Sequence, residues 1–359
     1  MSDLGETWDV IIVGGGPAGA AAAITLAKSN LRVLLIEKER LPRHKMCSGF
    51  ISEGGSQRIL REEFNLEVPE VLCTRPKRGK GARVTFKLGT EPMLVPDNSY
   101  NVWRRDFDFW LLIEANKAGA EIRDETCLTS LNEKGELIEV KVKSKSETAG
   151  IDEPAILKTR YLIGADGVAS KVRRILFPNS KIHSAVLYQE YWEGTINLDP
   201  HYLHFFMDTS LSSGMAWYNY KEGQLIIGVG AVKGNNIKRF QSKFIKYLEE
   251  AHELRLKEKI RAEGCLYPSC FSSFPESMEH LLGKGNCLLV GDAANLQDIL
   301  GEGISSALKS GKKAASAILE QLTSPGEALV AIYENSMKRF TTRLRNNWQD
   351  YFTQQKSHT

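Results

Sequence analysis

The stretch Val10–Ala27, "VIIVGGGPAGAAAAITLA", is uncharged and almost wholly apolar or small. Its length suits a membrane span or the core of a signal peptide. Gly14, Gly15, Gly16 and Pro17 would break a continuous helix, however. Asp3, Glu6 and Asp9 precede the stretch, where a signal peptide carries positive charge. The pattern instead predicts a buried strand over Trp8–Val13, a turn, and an Ala-rich helix over Ala18–Ser29 with Lys28 near its end. A second strand follows at Arg32–Ile36.

Beyond Leu41–Gly55, a loop of basic and small residues, Arg75–Val102 reads as short alternating strands. Trp103–Ile122 predicts a helix and then a strand, with Phe107, Trp110, Leu111 and Ala115 at helical spacing. Lys134–Leu157 reads as an antiparallel hairpin with a polar loop near Ser144–Glu153. Tyr161–Leu176 repeats the strand, turn, helix order, and aromatic-rich strands fill Ser184–Ala231. Lys238–Lys259 predicts an amphipathic helix. Asn286–Leu322 is a third strand, turn and helix, and Glu327–Phe352 predicts one helix or two.

The segments interleave. Residues 1–75, 103–180 and 280–325 are expected to form a discontinuous nucleotide-binding domain. Residues 76–102 and 181–279 would form a strand-rich substrate domain, and 326–359 a helical tail. The fold class is therefore α/β, a Rossmann-like domain with an interleaved antiparallel sheet.

Composition narrows the functions. The 359 residues carry a net charge of +3, too small to argue for nucleic acid. Six cysteines (Cys47, Cys73, Cys127, Cys265, Cys270 and Cys287) include no C-x-x-C pair and no zinc-site spacing. They read as reduced thiols of a cytoplasmic protein, and no metal is expected.

The turn after the first strand is Gly14-x-Gly16-x-x-Gly19, and Glu37 follows Gly19 by eighteen residues. Strand, helix and acid in this register make a dinucleotide-binding fingerprint. Gly14 makes the tight turn, Gly16 admits a pyrophosphate to the backbone, and Gly19 lets helix and strand pack closely. The helix N-terminus offers N–H groups to the phosphates, and Glu37 would accept from an adenosine ribose. Asp166-Gly167 and Asp292 each end an apolar strand, where open α/β sheets bind ligands. Each Asp also suits a helix N-cap.

These motifs together resemble the flavoproteins of the p-hydroxybenzoate hydroxylase type. "VIIVGGGPAG", "GADGVASKVR" and "GDAANLQDILGEGI" match that family's ADP-binding, Asp-Gly and Gly-Asp motifs, in order. The resemblance implies FAD. It places Pro17, Ala18 and Lys38 at the cofactor beside the glycines and Glu37, and Asp292 at its ribityl chain.

Within that group the chain resembles the geranylgeranyl reductases. "KMCSGFIS" matches their Cys-containing loop, implying that Cys47, Ser48 and Gly49 lie beside the isoalloxazine. "WRRDFDFWL" matches their R-x-x-F-D motif, making Arg104 the cofactor-contacting arginine. "GMAWYNYKEGQLIIGVGA" resembles their Trp-centred stretch with Gly-x-Gly, here Trp217, Gly228 and Gly230. Met215 stands where an aromatic residue is usual, Tyr218-Asn219-Tyr220 where the stretch runs on to Phe-Pro, and Ile299 where Pro precedes the last Gly-rich loop. These departures bear on the substrate rather than on FAD.

Three roles are open to Cys47: proton donor, gate or packing residue. Gly301 and Gly303 would bring backbone N–H groups to the flavin's pyrimidine edge, with Ile304 opening the next helix and Asp298 a cap. Tyr188, Tyr191, Trp192, Tyr202, Phe205, Phe206, Trp217, Tyr218 and Tyr220 suit an apolar prenyl tunnel or an ordinary sheet face, with Trp217 the leading candidate. Lys338, Arg339, Arg343 and Arg345 near Phe340, Trp348, Tyr351 and Phe352 suit a peripheral membrane contact or a solvated helix face. The expected activity is reduction of carbon–carbon double bonds in an isoprenoid lipid or other apolar substrate, with NAD(P)H, ferredoxin or another donor. An FAD- and NAD(P)H-dependent aromatic monooxygenase of the same fold, or a flavoprotein with a degenerate substrate site, is the alternative.

Overall fold

The computed structural model describes residues 6–144, 155–180, 182, 184–232, 234–268 and 279–357. Cys270 lies outside them, as does all of the expected polar loop except Ser144. In chain order the elements are β1 (Thr7–Val13), α1 (Pro17–Ala27), β2 (Val33–Ile36), β3 (Phe50–Ile51), α2 (Arg58–Phe64), β4 (Cys73–Thr85), β5 (Met93–Val102) and α3 (Arg104–Lys117). Next come β6 (Glu121–Arg123), β7 (Thr126–Lys134), β8 (Leu137–Ser144), β9 (Ala155–Gly164), α4 (Lys171–Leu176), β10 (Ser184–Thr195), β11 (Tyr202–Phe206) and β12 (Met215–Lys221). The chain continues through β13 (Gln224–Val232), α5 (Ile237–Ala251), β14 (Arg255–Pro268), β15 (Gly283–Lys284), β16 (Cys287–Leu289), α6 (Ile304–Thr323) and α7 (Leu329–Ser357).

The chain forms two compact units, Met1–Arg43 with Asp108–Ile182 and Glu276–Thr359, and His44–Phe107 with His183–Pro275. Residues 44–75, expected with the nucleotide-binding segments, fall in the second unit, and the tail falls in the first.

In the first unit the strand order β15-β16-β9-β1-β2-β6 is built on parallel pairing, with only β15 antiparallel on this path. Val10, Ile11 and Ile12 are fully buried, as a strand covered on both faces requires. The second half of β9 pairs with β1 and β16; its first half pairs antiparallel with β8, which continues into β7. The expected hairpin is thus part of a three-stranded meander. Helix α1 is buried on nearly every side. Its alanines allow a close approach of α6: a β-carbon at Gly311 would lie 2.1 Å from the Ala18 carbonyl oxygen.

The tail is one helix, α7. Phe340 and Trp348 are buried, and Tyr333 donates to the Leu289 carbonyl at 3.2 Å. These two tail aromatics therefore pack inside the unit rather than facing a membrane. The side chains of Tyr351 and Phe352 lie outside the described residues. No described helix is long and apolar enough to cross a membrane.

The second unit is an eight-stranded sheet in the order β14-β10-β13-β12-β11-β4-β5-β3. Neighbours are antiparallel except for β11 and β4. Directly paired residues share a face. Phe206, Tyr218, Ile227 and Val229 cluster with Phe244 and Leu248 of α5 on one face. The opposite face carries Glu263, Gln189, Gly228, Trp217 and Phe205 in one row. Asn219 and Lys221 follow Trp217 at the two-residue period of β12.

Helix α5 ends at Ala251, eight residues before the expected Lys259. Glu253 has φ +54°, which ends the helix, and Arg255–Pro268 then pairs with β10. Strand β14 alternates only between exposed and half-buried positions over most of its length. It therefore lacks the apolar signature of a strand.

Candidate active site

In the first unit the parallel register brings the three strand-end motifs together. Strands β1, β2, β9 and β16 all end at the same edge of the sheet. That edge carries Gly14, Glu37, Asp166 and Asp292. A β-carbon at Gly14, whose φ is +113°, would meet the Ala165 carbonyl oxygen at 2.4 Å. One at Gly19 would meet the Gly14 oxygen at 2.0 Å. Both glycines are required by close backbone approach. Near a β-carbon at Gly16 stands only the Arg43 guanidinium, at 3.7 Å. Pro17 occupies the first turn of α1, which has no capping side chain and no acidic residue there. Open helix N–H groups, a small residue and a nearby cation are the features a pyrophosphate needs.

Glu37 is buried and held by three donors. Its Oε2 accepts from Gly15 N–H at 2.9 Å and Arg43 Nε at 3.1 Å, and its Oε1 from Glu39 N–H at 3.1 Å. Arg43 Nη1 also reaches Asp108 at 3.2 Å, so one guanidinium joins two buried carboxylates. The sequence reading missed this role of Arg43. Its signal was the last Asp of the R-x-x-F-D match, Asp108. Lys38 is exposed and its ammonium lies 3.8 Å from Glu39.

Asp166 accepts from Ser170 Oγ and from the N–H groups of Lys171 and Val172 at 2.6 and 3.2 Å. It thereby supports the start of α4, whose N-cap is Ser170, and the positive φ of Gly167 turns the chain there. Gly291, with φ +57°, donates to Ser310 Oγ at 2.9 Å and sets Asp292 at the head of a short helical turn beside Ala18. Gly301 has φ +84°, and Gly303 precedes Ile304, which opens α6. Asp298 caps Ile299 N–H at 2.8 Å and accepts from Asn347 of α7 at 2.9 Å. Trp348 donates to the Gln297 carbonyl at 2.9 Å. The tail helix thus braces the 297–303 loop.

In the second unit Cys47, Ser48 and Gly49 form a turn with Gly49 at φ +71°. Gly49 N–H points to the Cys47 sulfur at 3.4 Å, and Val102 N–H donates to the Gly49 carbonyl at 2.9 Å. Burial pushes the Cys47 thiol up, but the charge of Arg104, the Gly49 N–H and the ammonium groups of Lys45 and Lys221 outweigh it and leave the thiol below its ordinary value. Arg104, assigned to the cofactor by resemblance, therefore acts electrostatically on Cys47. Lys221 gave no sequence signal, because Lys-Glu-Gly after a strand reads as a solvated turn.

Trp217 is buried, and its indole covers the α-carbon of Gly228, its cross-strand partner. The Trp and Gly of the motif are one packing unit. Two residues on, Asn219 is fully buried with neither its amide oxygen nor its amide nitrogen hydrogen-bonded. Asn219 lies within Tyr218-Asn219-Tyr220, which stands where the resembling stretch runs on to Phe-Pro. Tyr191, on the same face, is held by Gln189 and Glu263.

The family described as FAD binding domain matches residues 7–347. The chain belongs to that family. It is an FAD-dependent oxidoreductase similar to the geranylgeranyl reductases. A digeranylgeranylglycerophospholipid reductase of Methanosarcina acetivorans is 29% identical over 348 residues, 93% of this chain and 81% of that protein. Protein CbrA of Escherichia coli is 28% identical, over 88% of this chain and 85% of that one. A solved geranylgeranyl bacteriochlorophyll reductase-like protein from Thermoplasma acidophilum superposes with a TM-score of 0.77. It is 23% identical and covers 95% of this chain and 85% of that one, which supports the fold.

Proposed function

We propose that the protein reduces carbon–carbon double bonds of an isoprenoid lipid. FAD, bound and reduced, supplies the hydride. Gly14–Gly19 and the N-terminus of α1 would hold the pyrophosphate, Glu37 the ribose, and the Gly291–Asp292 turn the ribityl chain. The N–H groups of the Gly301–Gly303 loop would meet the flavin's pyrimidine edge. Cys47 holds at its sulfur the proton that goes to the second alkene carbon, so that one hydride and one proton add across one double bond. Trp217 supplies a rigid apolar surface for the chain of the substrate. The observation that carries this reading is the geometry of the Cys47 turn: the Gly49 N–H points to the sulfur at 3.4 Å, and Lys221 holds the Ser48 carbonyl of the same peptide at 2.6 Å.

The test is anaerobic. The flavoprotein is reduced with dithionite and mixed with geranylgeranyl lipids, and flavin reoxidation is followed while the lipid is weighed by mass spectrometry. Reoxidation with a gain of two hydrogens is expected. Reoxidation only after oxygen is admitted would replace the reading with a monooxygenase.

A lipid substrate calls for contact with its membrane. We infer that the β4–β5 hairpin makes it. Phe86, Met93, Leu94 and Val95 are exposed there, between 39 and 52%. Leu94 stands directly across from Arg83, and Lys87 lies in the connection between the strands. The outer edge of β5 carries Pro96, which lacks the N–H that strand addition needs. Basic and apolar side chains on one edge suit an anionic lipid surface.

A further inference from the structure

We propose that Lys221 is a positioning residue for Cys47: its ammonium fixes the Ser48–Gly49 peptide, and its charge supports a thiolate at the Cys47 sulfur. This rests on the reading of Cys47 as the proton-holding residue.

Lys221 is the last residue of β12 and is fully buried. Its Nζ donates to the carbonyls of Ser48 at 2.6 Å and Val102 at 2.7 Å, and lies 4.7 Å from the centroid of the Trp103 ring. Both hydrogen-bond acceptors are neutral, and among the described residues no carboxylate bonds this buried charge. Such a charge is costly unless something nearby offsets it.

The peptide between Ser48 and Gly49 explains the placement. Its carbonyl accepts from Lys221, and its N–H points to Cys47 Sγ. A peptide unit is planar and its two ends are rigidly linked. An ammonium on the oxygen therefore fixes where the N–H points and strengthens it as a donor. Room for this exists only because residue 49 is glycine. A β-carbon there would lie 2.5 Å from Lys221 Nζ and 2.0 Å from the Val102 oxygen.

The charges around the pair are mixed. Arg104 and Lys45 also favour an anionic Cys47. Around Lys221, burial pulls its amine down to about 7, against the attraction of Cys47 and Glu222, while Arg104 and Arg261 add to the downward pull. Glu222 is itself held by Trp103 Nε1 at 2.8 Å. Burial and the neighbouring guanidinium groups thus weigh against the charge of Lys221, and Cys47 and Glu222 support it.

The experiment is alkylation of FAD-loaded protein with iodoacetamide across a pH series, with each cysteine resolved by mass spectrometry. In Lys221→Met, the midpoint for Cys47 is expected to rise by about one pH unit, so that its rate at neutral pH falls on the order of tenfold. Cys127 in the first unit and the bound flavin are expected to keep their wild-type values. An unchanged Cys47 profile with normal flavin content overturns the proposal. Should Lys221→Met fail to fold, the reciprocal measurement decides. In Cys47→Ser protein with labelled lysines, the Lys221 titration followed by NMR is expected to move down, because a negative partner has been removed. An unmoved titration overturns the proposal. Neither measurement uses an isoprenoid, so the coupling and the alkene-reductase reading fail separately.

Discussion

The indole of Trp217 lies so close to Gly228 that a β-carbon on the glycine would sit 2.2 Å from the ring. The two residues are cross-strand partners in adjacent antiparallel strands. Gly228→Ala is therefore expected to displace the ring and lower stability by about 1–3 kcal/mol. Thermal unfolding of the variant checks this. An unchanged melting temperature would mean that the indole has room to move.

Arg43 is the common partner of Glu37 and Asp108, both buried. Arg43→Met leaves two carboxylates without their cation and should cost about 3–5 kcal/mol. Glu37→Ala should weaken FAD retention instead. Denaturant unfolding and the flavin absorbance of purified protein separate the two effects. Full flavin occupancy in Glu37→Ala would remove the ribose assignment.

Asn219 has a buried amide with no partner among the described residues, and such a group costs about 1–3 kcal/mol. Asn219→Leu, close in size, is expected to raise stability by a comparable amount. A loss of stability would show that the amide is satisfied in solution, by water or by a ligand.

The exposed hairpin gives a binding prediction. Wild-type protein should sediment with phosphatidylcholine vesicles that contain phosphatidylglycerol. Leu94→Glu should abolish that, and Lys87→Gln should weaken binding by about fivefold, the equivalent of about 1 kcal/mol. Binding that survives Leu94→Glu would put the contact elsewhere on the protein.

The nucleotide-binding motifs were legible because their constraints are local. The turn at Gly14, the small residue at Gly16 and the acid at the end of β2 are fixed by spacing along the chain, and a parallel sheet carries them to one edge. The loop-to-strand relationships were not legible. Lys221 touches Ser48 across 173 positions, and nothing in Tyr-Lys-Glu-Gly announces a buried charge. Asp166 illustrates a third case. Its carboxylate suited both a ligand and a cap; Ser170 is the N-cap of α4, and only the fold brings Asp166 to Ser170 and to the N–H groups of Lys171 and Val172. The overlong helix to Lys259 arose because β14 carries few apolar positions to betray its period.

The bond from Asn347 to Asp298 spans 49 residues, and the bond from Trp348 to Gln297 spans 51. During synthesis the 297–303 loop therefore leaves the ribosome well before the helix that braces it. Two of the bonds that hold this loop therefore form only once α7 has been made and has docked.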